Sequence, residues 1–190
     1  MFAVHARYRG RSTRRAEHVR ASGAALSRLD GVGKVVPSGV EELAAHPRDA
    51  VAVTTLTLAL LAAGDWSIGI GVSPASDREA AAVAAAGVLG KGGRAGTVRA
   101  RIRTGDPGGK ELSDDIAAAF TLLHHVISRR SPEGREATNL MRAGWTQVEA
   151  AAELGVSKQA INQRLQAAGW HAEEAGWSLA VHLLQRAARD

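Results

Sequence analysis

The sequence contains no cysteine and no apolar run long enough to cross a bilayer. Without cysteine the chain has neither disulfide bonds nor thiolate metal sites, which suits a reducing cytosol. The longest apolar run, "AVAVTTLTLALLAAG" (residues 50–64), carries three threonines and predicts a buried helix. In "MFAVHARYRGRSTRR" the charges follow the apolar residues, the reverse of their order in a signal peptide. We therefore expect a soluble, cytoplasmic protein that does not associate with membranes.

Apolar residues make up 45% of the 190 residues, so a packed core is expected. The net charge of +5 is compatible with a polyanionic partner such as nucleic acid. Nearly all the positive charge is arginine, however, and the chain is rich in alanine and glycine, a composition that a GC-rich genome also produces. Charge alone therefore does not identify a nucleic-acid-binding protein.

The first half of the chain alternates strand-like and helix-like segments. Strands are predicted at residues 2–8, 34–37, 66–72 and 97–103, and helices at residues 16–29, from Pro47 onward, and at residues 76–89. This order predicts an α+β sandwich, with helices on one face of a mainly antiparallel sheet. We expect a ferredoxin-like N-terminal domain followed by an all-α domain.

Two of these strands have faces of opposite character. In "WSIGIGVS" (residues 66–73) large apolar residues alternate with serine or glycine, so one face is apolar and the other nearly bare. In residues 97–103 apolar residues alternate with Arg99, Arg101 and Arg103. These arginines would either contact phosphates or form a solvated face that protects an edge strand, and we favour the solvated face.

A domain boundary is predicted in "TGDPGGKE" (residues 104–111), which contains one proline and three glycines. The predicted organisation is an α+β domain at residues 1–104, a linker at residues 105–111 and a helical domain at residues 112–190. Ser113 is the expected N-cap of the first helix of that domain, and Ser131 with Pro132 would begin the next one. The apolar stripe of the first helix comprises Ile116, Phe120, Leu123 and Ile127.

The segment "GWTQVEAAAELGVSKQAINQRL" (residues 144–165) reads as two short helices joined by a tight turn. Thr146 is placed as an N-cap with Glu149 three residues later, which is the capping-box pattern. Gly155 would end the first helix, and Ser157 would cap the second. Packing of the two helices is expected to bury Val156, Ile161 and Leu165.

The opposite side of the second helix carries amides and a lysine, the groups that reach base edges and phosphates in a major groove. The spacing "TQ-EAA-LGVS-QAI-QRL" resembles the helix-turn-helix of sigma-factor region 4 and related regulators. A plain helical hairpin with an alanine-rich interface is the alternative. The resemblance implies base contacts by Lys158, Gln159, Asn162 and Gln163 and phosphate contacts by Thr146, Gln147, Ser157 and Arg164.

A last helix is predicted from Trp170 to Ala188, although Glu173, Glu174 and Gly176 interrupt its first apolar turns. This helix would either pack on the hairpin, which we favour, or supply a dimer surface. A homodimer is expected because a helix-turn-helix usually binds tightly as two copies. The apolar face comprises Trp170, Trp177, Val181 and Leu184.

The first domain resembles nucleotide-cyclase and polymerase palm domains, and it looks like the SatD-type palm proteins of bacteria, some of which append a helix-turn-helix. In those proteins the first strand ends in "D-x-x-G-S-R" and the hairpin carries "G-D-E". The corresponding segments here are "ARYRGRSTRR" (residues 6–15) and "PSGVEEL" (residues 37–43). Arg7 and Val40 stand in the places of the aspartates, and Glu41 keeps the neighbouring glutamate. The resemblance thus implies a palm that has lost metal ligands.

Two-metal phosphoryl transfer needs several carboxylates converging on hard cations. Glu41 and Glu42, opposite an arginine-rich loop, would make a poor magnesium site, so we expect neither enzymatic activity nor a metal or cofactor. The loop would hold an anion better, although an ordinary solvated turn is the simpler alternative. The arginines of this possible anion site are Arg7, Arg9 and Arg11.

Other candidate sites are weaker. "GKGGRAG" (residues 90–96) has glycine where a phosphate-binding loop needs serine or threonine. His124 and His125 are adjacent, so they point to different sides of a helix and cannot form the i, i+4 pair of a metal site. No serine stands in a nucleophile-elbow pattern.

The function expected from the sequence is sequence-specific binding of double-stranded DNA by a transcriptional regulator. The N-terminal domain would support dimerisation or sense an unidentified small-molecule effector. One alternative is a nucleotide-processing palm enzyme that uses the helix-turn-helix for targeting. Another is an interaction module that docks a polymerase or regulator through Trp170 and Trp177.

Overall fold

The computed structural model describes residues 1–74, 77–90, 92–103 and 108–189, which contain five strands and eight helices. The strands are β1 (Phe2–Tyr8), β2 (Val36–Pro37), β3 (Glu42–Ala45), β4 (Trp66–Val72) and β5 (Val98–Ile102). The helices are α1 (Arg15–Leu26), α2 (Ala50–Ala63), α3 (Arg78–Leu89), α4 (Gly109–Ser128), α5 (Pro132–Arg142), α6 (Gln147–Glu153), α7 (Lys158–Ala167) and α8 (Trp170–Ala187).

The strands form one mixed sheet in the order β2-β3-β1-β4-β5. β1 pairs antiparallel with β3 and with β4, and β2 and β3 form an antiparallel hairpin. β5 runs parallel to β4, and α3 provides the crossover that a parallel pair requires. The predicted α+β class is confirmed at this level.

The sheet carries helices on both faces, so the expectation of helices on one face only is wrong. Gly69 and Gly71 form the bare side of β4, and α3 packs directly on them. A Cβ atom at Gly69 would lie 2.1 Å from the carbonyl oxygen of Ala85, and one at Gly71 would lie 2.0 Å from that of Ala81. The two glycines therefore form the surface on which the alanine-rich helix α3 packs, and they do not face solvent.

The other face of the sheet carries the main core. Trp66, Ile68 and Ile70 are at most 1% exposed and belong to a cluster that continues into α1, α2, α4 and α8. The buried helix predicted from the apolar run is α2, which begins at Ala50, where the Asp49 side chain accepts a hydrogen bond from the Ala52 N–H. Among the described residues, no helix is both long and apolar enough to span a membrane.

Ser113 joins α4 to the sheet. It lies in the second turn of α4, so the prediction that it is the N-cap of this helix is wrong. The helix begins at Gly109, whose carbonyl accepts a hydrogen bond from the Ser113 hydroxyl at 2.6 Å. The Ile102 N–H donates to the same hydroxyl oxygen at 3.1 Å. Ser113 therefore connects the end of β5 to α4 instead of starting the helix.

The core does not divide at the predicted domain boundary. α4 and α8 contribute Phe120, Leu123 and Leu184, among others, to the same core as the sheet. Residues 104–107 of the predicted linker lie outside the described residues. The apolar contacts of the main core thus run across the predicted boundary, and the division into residues 1–104 and 112–190 stays a prediction.

A second, smaller core lies between α5, α6 and α7. Ala137, Ala150 and Ala151 allow these helices to approach closely around Ile161 and Leu165. Trp170, at the start of α8, packs against this core, whereas Trp177 packs against the main one. α8 therefore joins the two cores. Trp170 packs beside the hairpin, as favoured, whereas Val181 and Leu184 of the same apolar face pack in the main core.

Candidate nucleic-acid interface

The start of α6 has the complete capping box that the sequence predicts. The Thr146 hydroxyl oxygen accepts a hydrogen bond from the Glu149 N–H at 3.3 Å, and the Glu149 carboxylate accepts one from the Thr146 N–H at 2.8 Å. α6 has only seven residues. So short a helix is unstable alone, and the capping box satisfies two of the backbone donors at its start.

The turn between α6 and α7 depends on Gly155, whose φ of +63° lies in the left-handed region. No atom lies within 4 Å of where its Cβ would be, so backbone conformation rather than space favours glycine there. Ser157 then caps α7 by accepting a hydrogen bond from the Ala160 N–H at 3.1 Å. The predicted cap and turn are both confirmed.

α7 presents one apolar and one polar side. Ile161 and Leu165 are 0% and 2% exposed and pack against α5 and α6. Val156, which was also expected to be buried, is only partly buried because it lies in the turn before α7. The polar residues Lys158, Gln159, Asn162, Gln163 and Gln166 are exposed. This division places the amides on the outer surface, as the sequence predicts.

The charge of α7 favours an anionic partner. Its ten residues include Lys158 and Arg164 and no acidic residue. Arg164 and Gln163 line a groove of about 510 Å³ together with Arg129, at the end of α4. Sequence analysis did not select Arg129, although it stands in the consecutive pair "RR" just before the Ser131 cap. The groove places two guanidinium groups beside the polar side of α7, together with the carboxylate of Glu133.

The predicted phosphate-contacting residues differ in how many of their hydrogen-bond donors are already used within the protein. The Thr146 N–H and hydroxyl both donate to the Glu149 carboxylate, at 2.8 Å each. A phosphate contact by Thr146 would therefore have to displace Glu149. Ser157 uses only its oxygen as a cap, so its hydroxyl proton can still be donated. Gln147 is half-buried in the first turn of α6.

A buried ionic cluster holds this interface to the rest of the protein. The side chains of Arg130 and Glu173 are 1% and 4% exposed. Arg130 Nη2 lies 2.5 Å from Glu173 Oε2. Glu173 also accepts two hydrogen bonds from Arg142, at 2.7 and 2.8 Å. Arg130 donates through Nε to the carbonyl of Ala168, just after α7. The cluster thereby ties the end of α7 to α5 and α8.

Burial lowers the pKa of Arg130, and the adjacent Glu173 carboxylate opposes that shift. The sequence analysis missed this cluster, although Glu173 was noted as an interruption of the apolar pattern of α8. An acidic residue on an apolar helix face is the signal that could have found it. Its two arginine partners could not be identified from spacing, because they come from other parts of the chain.

The possible anion site on the N-terminal loop is changed by the position of Glu42. Arg7 on β1 stands opposite Glu42 on β3, and its Nε donates to the carboxylate at 2.6 Å. Arg7 also donates to the carbonyl of Gly90 at 2.7 Å. Arg9 is half-buried and Arg11 is exposed. Arg7 is therefore already neutralised by a carboxylate, which weakens the predicted three-arginine site.

The two glutamates of the hairpin between β2 and β3 are likewise engaged by basic side chains. His5 Nε2 lies 3.2 Å from Glu42, and Arg15 is ion-paired with Glu41. Burial by itself would raise the pKa of Glu42, but the hydrogen bond from Arg7 and the charges of His5 and Arg7 lower it overall. Within the described ranges no three histidine, aspartate or glutamate side chains are grouped to hold a metal ion.

The remaining candidates lie away from α7. Arg99 and Arg101 pair in register with Gly69 and Gly71, so they share the sheet face that carries α3 and are solvent-exposed. α4, which leads to α5, α6 and α7, packs on the opposite face. His124 packs against Gly96, whereas His125 is exposed. Lys91 of "GKGGRAG" lies outside the described residues.

No protein-family model, curated protein or solved structure matches this chain. Its function must therefore be inferred from the geometry of the sites themselves. The most developed of these is the exposed side of α7, where a capped and packed helix presents amides and cations to solvent.

Proposed function

We propose that the protein is a sequence-specific DNA-binding transcriptional regulator, with α6 and α7 as its helix-turn-helix and α7 as the recognition helix. The observation that carries the proposal is the division of α7, with Ile161 and Leu165 sealed against α5 and α6 and the amides outside. A helix held in this way presents its polar residues rigidly, as base recognition requires.

The side chains of α7 fit the donor and acceptor pattern of a major groove. Gln159, Asn162 and Gln163 each offer a carbonyl and an amide group, the pair that reads adenine through its N6 and N7 atoms. Lys158, in the first turn, would contact guanine or a phosphate. Arg164 and Arg129, which line the same groove of the protein, would neutralise phosphates beside the major groove of the DNA. The Ser157 hydroxyl would be a further donor.

The α/β part of the chain would act as a scaffold in this proposal. Its first four strands follow the βαββαβ order and lie in the sequence β2-β3-β1-β4, which is the arrangement expected of a ferredoxin-like domain. α3 and β5 extend it by one parallel strand. Two copies joined through this part would present two recognition helices to successive turns of DNA.

The test is recovery of genomic DNA fragments bound by the purified protein, followed by mobility-shift assays on the enriched sequence. Gln159→Ala combined with Asn162→Ala should weaken specific binding by roughly 30-fold or more, at about 1–3 kcal/mol for each of the two lost base contacts. Gln185→Ala removes an exposed amide of α8 and is the matched control. Unchanged sequence preference in the double variant would refute the recognition-helix assignment.

Salt dependence separates phosphate contacts from base contacts. The affinity of the wild-type protein for DNA should fall steeply as salt is raised, because each neutralised phosphate releases counterions. Arg164→Gln and Arg129→Gln should each reduce the slope by about one unit and weaken binding to all sequences alike. Equal slopes in the variants and the wild type would remove these arginines from the interface.

A palm-type enzyme is the second candidate, favoured by the strand order alone. Purified protein incubated with nucleoside triphosphates and Mg²⁺ or Mn²⁺ should give no product, because Glu41 and Glu42 are already bound to cationic side chains. Product that is lost in Glu41→Ala would establish the enzyme and leave the helix-turn-helix as a targeting segment.

A further inference from the structure

A cleft of about 690 Å³ lies between α2, on the sheet, and the α5 and α8 helices that support the helix-turn-helix. Its volume falls within the range of small-molecule sites, about 300–1,000 Å³. One wall is the outer stripe of α2, formed by Thr55, Leu58, Ala59 and Ala62. The facing wall includes both tryptophans of α8.

The cleft is mainly aliphatic and aromatic. Trp170 and Trp177 are half-buried, so each indole packs on a core and still contributes to the cleft lining. Leu58 and Ala59 lie on the α2 side. Two flat rings opposite a wall of small aliphatic residues suit a planar aromatic molecule, which contacts both walls at once.

The charges at one end of the cleft are balanced. Glu173 and Glu174 line it together with Arg142, and Arg130 lies directly behind Glu173. Two carboxylates thus stand against two guanidinium groups, while the exposed Glu174 is also within 3.2 Å of His171 Nδ1. An uncharged ligand leaves this balance intact, whereas an ionic one would bring an uncompensated charge into a partly apolar space.

Arg142 offers the hydrogen-bonding group of the cleft. It has five N–H donors, and three of them are used by Glu173 and Asn139 within the described chain, which leaves two. Its guanidinium group also lies 6.0 Å from the centre of the Trp170 ring. A ligand oxygen bound to Arg142 would therefore hold an aromatic body beside that indole.

We propose that this cleft binds an uncharged planar aromatic molecule carrying a hydrogen-bond acceptor, and that its occupancy regulates DNA binding. The regulatory half rests on the proposed function, whereas the binding half does not. Arg142 connects the cleft to α7, because it lines the cleft and binds Glu173. Glu173 is paired with Arg130, and Arg130 donates a hydrogen bond to the Ala168 carbonyl at the end of α7.

The binding half is tested with Nile red, an uncharged planar dye with a carbonyl acceptor whose emission shifts to the blue in apolar surroundings. The full chain should bind it saturably at one site. Ala59→Trp fills the cleft and should raise the dissociation constant at least about tenfold, the equivalent of 1.4 kcal/mol. Ala63→Trp makes the same change at an exposed residue of α2 outside the cleft lining and should bind as the wild type does.

Two results would overturn the binding half. One is equal dye binding by the Ala59→Trp and Ala63→Trp variants, which would mean that the dye binds elsewhere. The other is a change in oligomeric state in Ala59→Trp alone, measured by sedimentation, which would make the cleft a contact between two copies of the chain. Arg142→Met keeps much of the apolar volume but removes the donors, and its dye affinity should also fall.

The regulatory half is tested by measuring affinity for the enriched DNA fragment with and without saturating Nile red. Linked sites typically change each other's affinity about 5- to 150-fold, and such a change should be absent in Ala59→Trp. Dye binding with unchanged DNA affinity would overturn the regulatory half. Dye binding by a protein that binds no DNA would refute the proposed function and leave the cleft assignment standing.

Discussion

Around the sheet, Trp66, Ile68 and Phe120 are almost completely buried in one continuous core. In the core between α5, α6 and α7 the buried residues are three alanines with Ile161 and Leu165, and the larger residues packed around them, such as Met141 and Trp170, are only partly buried. Each large apolar side chain contributes about 1.5–3 kcal/mol when it is buried, and an alanine contributes much less. The region of α5, α6 and α7 therefore depends more on local hydrogen bonds and on the ions that attach it to α8.

This difference follows from what each region presents to its surroundings. Strand β4 is covered on both faces, so it alternates apolar residues with serine and glycine. α7 keeps a polar side in solvent, so few of its positions are left for apolar residues. The caps at Thr146 and Ser157 and the Arg130–Glu173–Arg142 cluster supply part of what the small core lacks. The predictions below separate these contributions.

The largest effect is expected from Glu173→Gln. This change removes the charge that compensates buried Arg130, and breaking a buried ion pair costs about 3–5 kcal/mol. The free energy of unfolding, measured by urea denaturation, should fall accordingly. Glu174→Gln, at the next position, changes an exposed carboxylate and should leave stability unchanged. Equal losses in the two variants would show that the buried cluster is not a main attachment of α7.

On the sheet side, Gly71→Ala should destabilise the protein by about 1–3 kcal/mol or more, because the new methyl group would meet the backbone of α3. Gly87→Ala, on α3 itself, is the matched control. Its Cβ would meet nothing closer than 4.0 Å, and it should stabilise the helix by roughly 0.5–1 kcal/mol. Thermal unfolding of both variants checks the opposite signs. A stabilising Gly71→Ala would contradict the close packing of α3 on β4.

Loss of a helix cap should cost about 1 kcal/mol in either region. Thr146→Ala removes the cap of α6, and Asp49→Ala removes that of α2. The two regions should differ in how far the loss of protection against hydrogen exchange extends along the chain. Amide hydrogen exchange should accelerate throughout residues 147–167 in Thr146→Ala, because that core is small, but only near the start of α2 in Asp49→Ala. Uniform acceleration over the whole chain in Thr146→Ala would show a single cooperative unit.

The smallest effect concerns pH. Burial lowers the pKa of His5, although Glu42 opposes the shift, so the unfolded chain takes up a proton first as the pH falls below about 6.5. Stability should therefore decrease on acidification from pH 7 towards pH 5. His5→Gln should flatten this dependence in part, since the lowered pKa of His46 acts in the same direction. Denaturation at several pH values checks the slope, and an unchanged slope would exclude His5 as a contributor.

Local sequence patterns predicted the structure best where the deciding interactions are themselves local. β1, the alternation of β4 and the caps at Thr146, Ser131 and Ser157 lie where the spacing indicates, because each depends on residues only a few positions apart. Ser113 shows the limit of this reasoning. A serine before two aspartates is a good cap locally, but α4 begins earlier, at Gly109, and the Ser113 hydroxyl oxygen accepts a hydrogen bond from the Ile102 N–H of β5.

For the candidate site, the burial of Ile161 and Leu165 followed from the helical period, whereas the attachment of the site did not. Arg130 and Glu173 are far apart in the chain, and no spacing rule connects them. The cleft beside Trp170 and Trp177 was equally hidden, because α2 supplies one of its walls. The apolar face of α8 was visible in the sequence, but its two separate partners were not.

By itself, the amino-acid sequence determined the periodic elements, the capped helical pair and the polar side of α7, since these arise from side-chain spacing and hydrogen bonds between near neighbours. Only the tertiary structure decided that a helix rests on Gly69 and Gly71, that α4 and α8 complete the core of the sheet, and that Arg7 is neutralised by Glu42. Those outcomes depend on which distant segments exclude water from the same space, and no short stretch of the chain contains that information.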